Sequence, residues 1–138
     1  MSPSLLIRTR LAFIALALGT IAAGLAVHWR RQLLPPALQD ILGDALWAMM
    51  IAWWFGALLP NTRPAPRALL ALVVCWCVEL SQLYHTPALD ALRRTTLGHL
   101  VLGSDFDVRD LAAYVVGIAV AFSLEAIQRR PSRAKRTC

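Results

Sequence analysis

Cysteine is scarce and poorly placed: there are three, with Cys75 and Cys77 two apart and Cys138 at the last position. Two cysteines two apart on one helix point in different directions and cannot bridge, and no lipidation box surrounds Cys138. Neither a disulfide framework nor a zinc site is indicated. Charge is scarce as well, at 16% of residues, where a soluble domain carries about a quarter. Motifs of common chemistries are missing. No HExxH occurs, and His85 and His99, with Asp90, Asp105 and Asp107, show no compact ligand spacing. Ser81 and Ser104 have no nucleophile elbow or triad context. No metal and no cofactor are expected, and a non-catalytic role is favoured over an enzymatic one.

What the chain does have is apolar sequence, 58% of residues with a mean hydropathy of +0.57. It is gathered into runs, which is the pattern of membrane spans. The formal charge of +6 and pI near 10.3 raise nucleic acid as a partner. That partner is rejected, because the basic residues flank apolar runs, where they serve to orient membrane helices.

Four spans are expected, at about 11–28, 37–59, 67–84 and 107–127, in a single all-α membrane domain over residues 1–128 with a basic tail at 129–138. The first run lies between Arg8 and Arg10 and the His28–Arg31 stretch, and is read as a retained helix rather than a cleaved signal. The second follows Pro35 and Pro36 and ends at the turn "PNTRPAPR". The third contains Glu79, and the fourth is entered through Asp107 and Asp110. Between the last two, Thr86 and Pro87 suit the N-cap and first position of a short helix, and "LGHLVLG" is too short to cross. A long outer loop with a short interfacial or re-entrant helix is expected.

Four spans place both termini on one side, where nine of the Lys and Arg residues then lie, against five on the other. The positive-inside rule puts the termini in the cytoplasm and the long loop outside. Small residues recur four apart at Ala15, Gly19 and Ala23, and at Ala48, Ala52 and Gly56, a spacing that lets membrane helices approach closely. Trp29, Trp47 and Tyr84 suit an outer aromatic belt, and Trp53, Trp54 and Trp76 suit packing or lipid contact. Glu125 and Arg129, four apart, read as an exposed helix pair, and the basic tail reads chiefly as an orientation signal beside anionic membrane lipids.

The acids carry the functional information. With this topology seven of eight gather at or near the outer face, and Asp44, Glu79 and Asp110 come from three different spans. Leu72, Cys75, Glu79 and Gln82 share one helical face; Asp107, Asp110, Tyr114, Gly117 and Ala121 share another. A charge at mid-bilayer costs about 2.5–3.5 kcal/mol, less near the interface, so Glu79 needs a partner. Arg93 or Arg94, folded back from the loop, is the expected one. Asp107 and, less so, Asp110 also suit capping of the fourth span.

"GDALWA", "VELSQLYHTPALDALRRTTLGHLVLGSDF" and "DLAAYVVG" resemble a family of small bacterial membrane proteins, domain-of-unknown-function family 2809, over about residues 34–117. More distantly the chain resembles the VanZ-like proteins associated with glycopeptide antibiotic resistance. Glu79, Gln82, Arg93, Asp110 and Gly117 fit that pattern, while Tyr114 stands where it carries Asn. The resemblance implies a multi-pass protein of the bacterial inner membrane. The expected function is to bind a polar or lipid-linked envelope molecule at an outward-facing site. Asp44, Glu79 and Asp110 would supply carboxylates, Gln82 an amide, and Arg93 or Arg94 a clamp, with Asp107 and Tyr114 in the same cluster. The alternatives are a small intramembrane enzyme acting on a lipid head group, with Glu79 or Asp110 as base, and a proton-coupled transporter working as an oligomer.

Overall fold

The computed structural model describes residues 2–103 and 105–129. Ser104 and the basic tail from residue 130 lie outside the described residues, as do the side chains of Arg31, His99, Leu100 and Arg129. The described chain is helical, with helices α1 (Pro3–Trp29), α2 (Pro36–Leu58), α3 (Pro64–Ser81), α4 (Pro87–Arg93), α5 (Thr96–Leu102) and α6 (Val108–Arg129). α1, α2, α3 and α6 are long and apolar enough to cross a membrane.

Local chemistry sets the helix ends. Proline opens α1, α2, α3 and α4, where its missing N–H costs nothing and its fixed φ suits the first turn. Pro64 therefore starts α3 earlier than the apolar run does, and Arg67 lies within the helix rather than in the loop before it. The Ser2 side chain caps α1 by accepting from Leu5 N, so the helix runs back past Arg8 and Arg10. α3 stops at Ser81, and residues 82–84 follow as tight turns in which the Gln82, Leu83 and Tyr84 amides donate to carbonyls three residues back. Thr86 caps α4 as expected, accepting from Leu89 N at 3.2 Å. Thr95 accepts from Gly98 N at 3.0 Å at the start of α5, so the long connection holds two short helices. Gly98 packs against the Leu92 carbonyl, where a Cβ would come within 1.9 Å of the oxygen.

α2 occupies the middle of the bundle, with α1 on one side and α3 and α6 on the other. Phe13, Ala17, Trp53, Ala57 and Ala121 form one core cluster, and Ala48, Ala71, Cys75, Tyr114 and Ile118 the second. Between the long helices, Gly56 and Gly117 permit close approaches. A Cβ on Gly56 would lie 2.5 Å from the Phe13 ring, and one on Gly117 only 2.0 Å from the Ala45 carbonyl oxygen. The Ala48, Ala52 and Gly56 row faces inward, with Ala48 and Gly56 buried and Ala52 half-buried. The matching row on α1 does not: Ala15, Gly19 and Ala23 are exposed, and α1 packs instead through Phe13, Ala17 and Thr20, because the aromatic ring fills the notch at Gly56. Trp53 is buried 6.1 Å from Phe13, while Trp29 and Tyr84 are exposed.

Phe13, early in α1, meets Trp53, late in α2, and Tyr114, early in α6, meets Glu79, late in α3. The spans thus alternate in direction. One end of the bundle gathers the starts of α2 and α6 with the end of α3. The other gathers the start of α3 with the ends of α2 and α6.

Candidate functional site: a carboxyl cluster at one end of the bundle

Ala71, Cys75 and Glu79 lie four apart on α3 and are all fully buried, with 0% exposure. The spacing that buries an alanine and a cysteine thus carries a carboxylate inside with them. Glu79 is met by three donors. Tyr114 OH donates to Oε2 at 2.8 Å, Gln82 Nε2 donates to the same oxygen at 3.2 Å, and the backbone N–H of Asp107 donates to Oε1 at 2.8 Å. The carboxylate ties the end of α3 to the start of α6 through hydrogen bonds alone. Hydrogen bonds to a charged acceptor are worth about 1.5–3 kcal/mol each, enough to offset burial that a lone carboxylate could not bear.

The remaining acids surround this centre. Asp44 on α2 and Asp110 on α6 are partly buried neighbours, with Glu79 the third carboxyl acting on both. Asp107 is exposed and caps α6, accepting from Arg109 N at 2.8 Å. Its backbone belongs to the Glu79 cluster and its side chain to the helix start. Tyr114 is buried and packs on Trp47 at 5.8 Å between ring centroids, which fixes the phenol where it reaches Glu79. Trp47 thus helps to orient the cluster rather than standing free in an aromatic belt.

The two loop arginines behave differently from expectation. Neither pairs with Glu79. Arg93 is buried and folds back onto the end of α3, donating from Nη2 to Ser81 O at 2.6 Å and from Nη1 to Tyr84 O at 3.0 Å. Its nearest acid is Asp90, at 3.5 Å. The physical reason is the early stop of α3, which leaves carbonyls beside the loop with lone pairs to spare; a guanidinium with five donors reaches two of them at once. Arg94 is exposed and donates from Nε to the Asp90 carbonyl. Arg93 therefore holds the loop down on the bundle, as expected of a pinning residue, but through backbone oxygens rather than Glu79.

At the opposite end lies a pair that the sequence reading misses. Arg67 is 2% exposed and Glu125 8%, and they form an ion pair between α3 and α6. Arg67 also donates to Gly56 O at 3.4 Å and stands 5.0 Å over the Phe13 ring. Glu125 is thus buried, not exposed as expected, and paired across the bundle; the side chain of Arg129, its expected partner, lies outside the described residues. The signal was present: Arg67, Ala71, Cys75 and Glu79 continue one stripe at intervals of four, as do Gly117, Ala121 and Glu125.

An all-helical fold with four membrane-length helices and polar clusters inside both ends defines a multi-pass membrane protein. The chain belongs to the family described as "Protein of unknown function (DUF2809)", whose model matches residues 33–118, well over half of its length. No solved structure matches it. The matched segment holds the whole carboxyl cluster, from Asp44 to Tyr114.

Proposed function

We propose that the protein is a non-catalytic binding protein of the bacterial inner membrane, with both termini in the cytoplasm. It holds the polar head group of a lipid or lipid-linked envelope molecule at the carboxyl cluster, which then faces outward. The observation that carries this reading is the convergence of Asp44, Glu79 and Asp110 from three helices at one end of the bundle, around a fully buried carboxylate. An ionisable residue inside a membrane domain is a functional candidate by default, because its insertion is costly and a structural role can be filled more cheaply. The excess of basic residues at the other end supports the orientation. The distant VanZ-like resemblance supports an envelope role. Arg94, exposed beside the loop, remains available to a phosphate, whereas Arg93 is engaged with α3.

Native mass spectrometry of the full chain, extracted gently with its lipids, tests this reading. Wild type should retain a defined envelope lipid that Asp44→Asn and Asp110→Asn lose while keeping their helicity. Retention of nothing specific by wild type would sink it. The closeness of Asp44 and Asp110 favours one rival, an intramembrane enzyme with Asp110 as general base. That rival requires turnover of a head group, abolished by Asp110→Asn.

A further inference from the structure

The carboxyl cluster offers acceptors and, among the described residues, meets no cation. The ion pairs among the described residues are Arg67–Glu125, His85–Asp90 and Arg93–Asp90. None involves Asp44, Glu79 or Asp110. The three donors to Glu79 are neutral groups, which hold its charge in place without cancelling it. The charges acting on Asp44 and Asp110 are carboxyls: Asp110, Glu79 and Asp40 on Asp44, and Glu79, Asp107 and Asp40 on Asp110.

A second observation is independent of the acids. Gln82 is 5% exposed, its Nε2 is bound to Glu79, and its Oε1 is buried with no hydrogen-bond partner. Turning the amide over does not cure this, because it would set Oε1 against the Glu79 oxygen, acceptor to acceptor. A buried amide oxygen left bare calls for a donor from elsewhere. The cluster itself thus lacks a hydrogen-bond donor at Gln82 Oε1 and a positive charge among its carboxyls, while the other unpartnered buried atom at this end, Arg93 Nε, belongs to a guanidinium turned to the Ser81 and Tyr84 carbonyls.

We propose that the cluster binds a primary amine in its ammonium form, with Gln82 Oε1 accepting from it and the Asp44–Asp110 pair balancing its charge. The proposal rests on the reading of this cluster as a head-group site and names the group it takes. An ammonium has three donors and no acceptor, the complement of what Gln82, Asp44 and Asp110 present. A phosphate or carboxylate would add negative charge to negative charge. A neutral hydroxyl would satisfy Gln82 and leave the charge as it was. An amine-bearing lipid head group and a small free amine share this chemistry.

The test uses the full chain in nanodiscs of equal parts phosphatidylethanolamine and phosphatidylglycerol, followed by native mass spectrometry with and without free ethanolamine. Wild type should retain phosphatidylethanolamine over phosphatidylglycerol by about tenfold, which corresponds to ~1.4 kcal/mol. Asp44→Asn, which keeps a hydrogen-bonding side chain, and Gln82→Leu should each abolish that preference with helicity unchanged. Displacement of the lipid by ethanolamine, or an ethanolamine adduct itself lost in Asp44→Asn, would support the proposal and assign the site to a free amine. Persistence of the lipid under ethanolamine would assign it to the head group. Cluster-dependent retention of phosphatidylglycerol, or of both lipids equally, would overturn the amine and leave the head-group reading standing. Retention of neither lipid nor amine would overturn both.

Discussion

Arg67 and Glu125 stand 58 residues apart and meet inside the bundle, joining the start of α3 to the end of α6. Glu79 and Tyr114 join the other ends of the same two helices. α3 and α6 are therefore fastened at both ends by polar contacts, with apolar packing between. In a membrane, where apolar surface gives little drive for helices to associate, such contacts and close packing set the alignment.

The ion pair should show strong coupling. Glu125→Leu alone leaves the buried charge of Arg67 unmatched, at a cost of about 3–5 kcal/mol, and Arg67→Leu alone takes from Glu125 its partner on α3. The double variant should recover much of that loss. Thermal unfolding in a mild detergent, read as a double-mutant cycle, checks this; additive losses would mean that the two side chains do not act together.

Tyr114→Phe removes one donor from Glu79 and keeps the ring against Trp47. A loss of about 1.5–3 kcal/mol in stability is expected, the range for a hydrogen bond to a charged group. The same assay applied to Trp47→Leu should show a loss through orientation of the phenol, partly non-additive with Tyr114→Phe. Full additivity would count against Trp47 as a support.

Gly117→Ala should separate α2 from α6. The new methyl falls on the Ala45 carbonyl, a backbone atom that cannot swing aside. Overpacking of this kind costs about 1–3 kcal/mol. Gly24→Ala is the control, since nothing lies within 4 Å of a Cβ there. Equal stability of the two variants would contradict the close approach.

Arg93→Lys should free the loop without unfolding the bundle. A lysine is a point donor and does not span Ser81 O and Tyr84 O as a guanidinium does. Amide exchange over residues 87–93 should quicken roughly tenfold, equivalent to ~1.4 kcal/mol of local opening, with exchange in α2 unchanged. Unchanged exchange in α4 would show that the arginine does not hold it.

Much of this was legible in the chain. The four spans follow from apolar runs of near-bilayer length, and the inward faces of α3 and α6 follow from intervals of three and four that carry Glu79 and Tyr114 together. The destination of Arg93 was not legible, because the carbonyls it uses become reachable only where α3 stops, and Leu83 and Tyr84 read as apolar continuation. Arg67 was hidden by the same boundary at the other end: with the helix begun at Pro64 it belongs to the buried stripe, and with the helix begun at the apolar run it belongs to a loop. The outward row on α1 shows a further limit, since small residues mark where a helix permits approach and a single ring decides which row is used.

The donor from residue 107 to Glu79 is a backbone amide, and it closes a stretch of 28 residues at its neck. Any residue but proline supplies that amide. The tie is therefore indifferent to the side chain at 107, and the bundle is insulated from what happens between the two points. Lengthening the connection between α4 and α5 would add only a slowly growing closure cost, about 0.6 kcal/mol per doubling of a flexible loop. Apart from Gln82 and Arg93, which hold to the end of α3, the segment can thus change its sequence while the four spans keep their register.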